Sequence, residues 1–197
     1  MRTALLFSLL LSCQWLYSQT IIEWSPDYQL QLGDFQSVQT EINGDLSTYS
    51  IFSGTTMDFS FQMPTGVFMF TKNFNSKATT TFNRNTAVII APDSAIAMSL
   101  VKFGQYNFDL TELYTRKFRQ KLYEEKGAFS DINFFLPIYQ ELQAELNAEI
   151  ARVYKLTETG LNSTLLEIEH EKVLSQIDLL SDFCKSCKPS KKKRKKE

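Results

Sequence analysis

Histidine is almost absent: His170 is the only one in 197 residues. A catalytic zinc centre commonly uses two or three imidazoles and keeps one position open for water, so a centre of that make-up cannot be assembled from this chain. Cysteine is scarce too, at three residues. Cys184 and Cys187 form one Cys-x-x-Cys motif, and no second pair exists to close a four-ligand structural zinc site. There is no Gly-rich phosphate loop and no serine in a nucleophile elbow. The longest greasy stretch, at the N-terminus, falls short of the ~20 apolar residues a membrane-spanning helix needs. No internal repeat is visible.

What is present suits one packed domain. Hydrophobic residues make up 43% and charged residues 22%, and sixteen Phe, eight Tyr and two Trp supply core material. The net charge of −1 hides an asymmetry. Residues 184–197 hold eight Lys/Arg against one Glu, whereas residues 20–183 hold 12 Lys/Arg against 21 Asp/Glu. An acidic body therefore carries a basic tail, Lys191, Lys192, Lys193, Arg194, Lys195 and Lys196. The tail has no apolar surface to bury, so disorder is expected over 184–197. It suits solubility or an electrostatic tether to anionic lipid, envelope polysaccharide or nucleic acid; specific nucleic-acid recognition is not expected.

Arg2 precedes an apolar run, Ala4 to Leu11, broken only by Ser8; the run resumes at Trp15-Leu16, and Ser18 offers a small residue for cleavage. This layout predicts a signal peptide over residues 1–18, a mature chain from Gln19 or Thr20, and export. Leu10-Leu11-Ser12-Cys13 loosely resembles a lipobox, which would make Cys13 a membrane anchor. In an oxidising compartment Cys184 and Cys187 suit either a small local disulfide or idle thiols.

Residues 20–90 read as strands: Thr20–Trp24, Tyr28–Leu32, Leu46–Phe52, Thr56–Phe61, Val67–Thr71, Ala78–Phe82 and Ala87–Ile90, separated by Gly, Asn and Pro. From Pro92 the period changes. Asp93 or Ser94 is placed to cap a helix running to about Lys126, with Gly104 a candidate break. Tyr139, Leu142, Leu146, Ile150 and Val153 predict a second helix over 137–156. Leu166, His170, Val173, Ile177 and Leu180 predict a third over 163–183. The expected class is α+β: an N-terminal antiparallel sheet over about 20–90, then three main helices packed on it. The expected domain is 19–183.

One stretch resembles a known family. Phe108, Asp109, Glu112, Arg116 and Arg119 match in register the signature His-Glu-Gln-x-His-Phe-Asp-Ile-x-Glu-x-x-Ala-Arg-x-x-Arg of a secreted bacterial family of unknown function, described as zinc-dependent proteases. Weaker matches lie at Trp24, at Leu32-Gly33-Asp34-Phe35, at Phe82 to Val88 and at Glu158-Thr159. The resemblance spans about 21–180 and implies a bacterial protein exported to the periplasm or the exterior. The departures fall on the metal chemistry. The motif's histidines would lie at Phe103 and Asn107, its glutamate at Gly104 and a downstream histidine at Leu161. Phe and Leu cannot ligate zinc, Asn is a poor ligand and Gly cannot take a proton. The expectation is therefore a scaffold that has lost catalysis, with no cofactor, binding an unidentified protein or envelope component. Two alternatives stand beside it: an active metal-dependent hydrolase with an atypical site, and a membrane-surface or polyanion binder acting through its tail. Glu112 and Arg116, four apart on a helix, read as a supporting pair worth ~0.2–0.5 kcal/mol. Arg119 is suited to pin a strand or loop. His170 reads as a core-edge histidine with a hydrogen-bond partner.

Overall fold

The structure, a computed structural model, describes residues 19–60 and 62–189. The expected signal peptide, Cys13 and the basic run Lys191 to Lys196 lie outside the described residues. The N-terminal part forms six short strands: β1 (Ile21–Glu23), β2 (Glu41–Ile42), β3 (Ser50–Phe52), β4 (Thr55–Phe59), β5 (Ala78–Asn83) and β6 (Val88–Ala91). A short helix, α1 (Thr65–Phe70), interrupts them, and three long helices follow: α2 (Ser94–Glu125), α3 (Phe135–Leu156) and α4 (Ser163–Leu179). The α+β class holds, with helices layered on sheets.

The single sheet expected from the sequence is two three-stranded sheets, ordered β1-β5-β4 and β2-β6-β3. All pairings are antiparallel except β2 with β6, which is parallel. Period-2 alternation is clear in β5, where Ala78, Thr80 and Phe82 point inward. Tyr28–Leu32 forms no strand. Val67–Thr71 is largely α1, because Phe68 turns inward alone and its amide bonds back to Pro64 O (3.0 Å). A short apolar run such as Val-Phe-Met-Phe has no period that separates strand from helix.

Asp93 caps α2 by accepting from Ile96 N (2.8 Å), and Asn162 caps α4 by accepting from Leu165 N (3.2 Å). The helix α2 runs unbroken through Gly104. It packs against both sheets and against α3 and α4, so it buries residues on every side between Ala97 and Leu122. Its apolar side chains join two core clusters. Phe103, Leu110, Leu113 and Phe118 meet α3 and α4 in one, while Leu100 and Phe108 meet Phe35, Phe82 and Ile89 in the other.

The chain beyond α4 stays on the body. A disulfide joins Cys184 to Cys187. Asn73 and Asn75 both donate to Cys187 O (3.1 Å each), and Lys185 pairs with Glu23 (2.5 Å). These bonds give residues 184–187 defined partners, so the packed region extends past the boundary at 183 expected from the sequence.

Candidate functional site

Polar residues that α2 carries into the interior form two hubs. The first centres on Asp109, which is 4% exposed. Trp24, just after β1, donates its indole N–H to Oδ1 (2.7 Å). Gln105, one turn earlier on α2, donates Nε2–H to Oδ2 (2.9 Å), and its Oε1 accepts from Leu30 N (2.8 Å). His170 Nε2, from α4, lies 2.7 Å from Asp109 Oδ2. Three elements thus converge on one carboxylate, and a charged acceptor makes such bonds stronger than neutral ones. His170 has the partner expected of it. Gln105 went unrecognised as a site residue, although it falls at the glutamine of the quoted signature; its partner Leu30 is 75 positions away.

The second hub centres on Glu112. Its Oε1 accepts from Arg116 Nε and Arg119 Nη1, both at 2.9 Å, and its Oε2 accepts from Thr80 Oγ1 (2.9 Å). Arg119 also donates to Ala78 O at the start of β5 (2.9 Å) and to Phe183 O (3.0 Å). It therefore pins a strand and a loop together. Arg116 donates to Ile177 O in the last turn of α4 (2.8 Å), a carbonyl that also accepts from Leu180 N (3.1 Å), and its guanidinium carbon lies 5.4 Å from the Trp24 ring centre. Burial pushes the Arg119 guanidinium below its usual pKa, against the charge of Glu112 beside it. The Glu112–Arg116 pair is not the exposed helix pair that its spacing suggests, since Glu112 is 3% exposed and Arg116 7%. Above the hub, Trp24, Arg116, Cys184 and Lys185 border a cavity of about 260 Å³.

The positions matching the metal motif are closed by packing. Phe103 is 1% exposed, with its ring centre 6.0 Å from Tyr106 and 5.8 Å from Tyr154. Gly104 lies under Phe35: a Cβ there would sit 2.9 Å from the Phe35 ring and 3.4 Å from Ile51. Phe35 is itself buried edge-on to Phe82 (5.4 Å), so a glutamate at 104 requires the core to rearrange. Asn107 is buried, and among the described residues its amide oxygen has no hydrogen-bond partner. The turn after α3 comes back onto this helix. Glu158, Thr159 and Gly160 have φ values of 51°, 61° and 89°, and a Cβ on Gly160 would lie 2.8 Å from Phe103 Cβ. The fold therefore brings the turn preceding Leu161 to Phe103. The side chains at 103, 104, 107 and 161 supply no charged or imidazole donor, so the residues present do not fit a zinc ion. Among the described residues, no group of three or more His, Cys, Asp or Glu is placed to hold a metal.

An unpaired amide in a core costs about 1–3 kcal/mol, so Asn107→Leu is expected to leave stability unchanged or raise it by about 1 kcal/mol. Urea unfolding of the variant checks this; a loss above about 2 kcal/mol would mean that the amide has a partner in solution.

A second cavity of about 370 Å³ lies between α2, α3 and α4. Arg152 chelates Glu149 (2.8 and 2.7 Å) and also pairs with Glu169, which holds Lys172 (2.6 Å). Lys117 borders the same cavity with its ammonium 4.1 Å from the Tyr114 ring centre, and burial lowers its pKa. Most of the cavity's charge is neutralised internally.

Comparison with family models, with curated proteins and with solved structures found no match to this chain. The resemblance to the zinc-protease family rests on the residues quoted for it.

Proposed function

We propose that the chain is an exported, non-catalytic binding protein of the bacterial envelope, built on a zinc-protease-like scaffold. One observation carries the reading. Matching residues (Phe108, Asp109, Glu112, Arg116, Arg119) sit in buried support roles, whereas the departures Phe103 and Gly104 are filled or overlain by aromatic rings. The polar machinery that braces a helix is kept, and the groups that would bind metal and activate water are replaced by packing. A disulfide joining Cys184 to Cys187 is compatible with an oxidising compartment. No residue is assigned a catalytic role.

Elemental analysis of protein purified without chelator, alongside a peptidase assay with added zinc, tests the proposal. The expected result is substoichiometric zinc and no activity above a heat-treated control. One zinc per chain with metal-dependent peptide cleavage would replace this reading by that of an atypical hydrolase.

A further inference from the structure

The cavity of about 260 Å³ above the Glu112 hub is walled by separate parts of the chain. Trp24 and Pro26 follow β1, and Arg116 and Arg119 come from α2. The disulfide turn after α4 supplies Cys184 and Lys185. That turn is tied down twice. Asn73 and Asn75 donate to Cys187 O (3.1 Å each), and Lys185 pairs with Glu23, which also borders the cavity. The void is thus held open between fixed walls.

One charged donor here is left over. Arg116 is 7% exposed, and its Nε and Nη1 donate to Glu112 Oε1 and Ile177 O. Its Nη2 makes no hydrogen bond among the described residues, yet it is not sealed from solvent. A charged donor carried that far into a fold is costly unless something accepts from it. The charges bordering the cavity also fail to cancel. Arg116, Arg119 and Lys185 stand against Glu23 and Glu112, which leaves one positive charge. Asp109, at the N–H edge of Trp24, is already shared by Trp24, Gln105 and His170.

We propose that this cavity binds a small monocarboxylate, its carboxylate accepting from Arg116 Nη2 and its short apolar group lying against Trp24 and Pro26. One negative charge matches the one positive charge left over, and a guanidinium–carboxylate bond is stronger than a neutral one. The volume falls below the ~300–1,000 Å³ of pockets for drug-sized ligands, so the acid is short. Sulfate fits worse, because it carries two charges and leaves Trp24 and Pro26 without an apolar partner. A free acid and the C-terminus of a peptide present the same group. The inference names a ligand class for the binding protein proposed above, and rests on that reading in assigning the bound acid no reaction.

The test is titration calorimetry of the full chain with pentanoate, its neutral match pentanamide, sodium sulfate, and N-acetylvaline as a stand-in for a peptide C-terminus. Pentanoate is expected to bind once per chain with a dissociation constant of about 0.1–1 mM, and pentanamide and sulfate at least about tenfold more weakly. N-acetylvaline binding more tightly than pentanoate would identify a peptide C-terminus as the source, and weaker binding a free acid. Nitrogen–proton NMR places the ligand. The Trp24 indole N–H signal, assigned with Trp15→Phe because Trp15 is the only other tryptophan, is expected to shift on binding. Arg116→Lys keeps a charge beside Glu112 but removes Nη2, and is expected to abolish binding in protein that still melts cooperatively. Lys185→Glu leaves the Glu112 hub intact, reverses the surplus charge, and is expected to weaken pentanoate by about tenfold. No pentanoate binding, equal binding of pentanamide or sulfate, or unchanged affinity in Lys185→Glu would overturn the proposal. Zinc content and peptidase activity decide the non-catalytic reading separately.

Discussion

Replacing Glu112 by alanine is expected to lower the unfolding free energy by about 3–5 kcal/mol, because it leaves two buried guanidinium groups without their shared counter-charge. Arg116 and Arg119 both bond to Glu112 Oε1. Their remaining bonds are to backbone carbonyls at Ile177, Ala78 and Phe183, so the loss spreads to the end of α4, the start of β5 and the C-terminal turn. Domains of this size have only ~5–15 kcal/mol in total, so the variant should be close to unfolding at ordinary temperature. Glu112→Gln keeps an acceptor but loses the charge and should fall between the two. Urea denaturation with a far-ultraviolet readout orders the three proteins. A loss below about 1 kcal/mol for Glu112→Ala would place the pair among ordinary surface ion pairs and contradict its burial.

The second large effect is expected at Gly160. Its φ of 89° lies in the left-handed region, and an added Cβ would sit 2.8 Å from Phe103 Cβ and 3.0 Å from Ser99 O. The Ser99 carbonyl belongs to the backbone of α2 and cannot swing aside. Gly160→Ala is therefore expected to cost about 2–4 kcal/mol, combining the left-handed penalty with overpacking. Gly44→Ala is the control: no atom lies within 4 Å of its added Cβ and its φ is not positive, so a change within about 0.5 kcal/mol is expected. Thermal melts of both variants check the contrast. If Gly160→Ala melted like Gly44→Ala, the turn would not be packed on Phe103.

The helices were legible in the sequence because their apolar spacing is long and regular. Leu142, Leu146 and Val153 on α3, and Leu166, Val173 and Ile177 on α4, all proved buried. The sheets were less legible. Strands of two or three residues, such as Glu41–Ile42 with both residues exposed, carry no period to detect. Gly104 suggested a break, but the requirement it meets is tertiary: the Phe35 ring occupies the space of its missing Cβ. The candidate site divides the same way. Glu112 with Arg116 is visible as an i,i+4 pair, yet its burial is not, because the residues that cover it come from β5 and α4. The Asp109 hub was hidden more completely, since Trp24 and His170 lie 85 and 61 positions from it.

The helix α2 braces the fold through Asp109, Glu112, Arg116 and Arg119, while Phe103, Gly104 and Asn107 are packing positions. Whether zinc stabilises the folded chain tests this division of roles. A ligand that binds only the native state adds about 2.7 kcal/mol at a hundred times its dissociation constant. The urea midpoint of the wild-type protein is expected to stay unchanged from chelator to excess zinc. A saturable rise with one zinc bound per chain would contradict it.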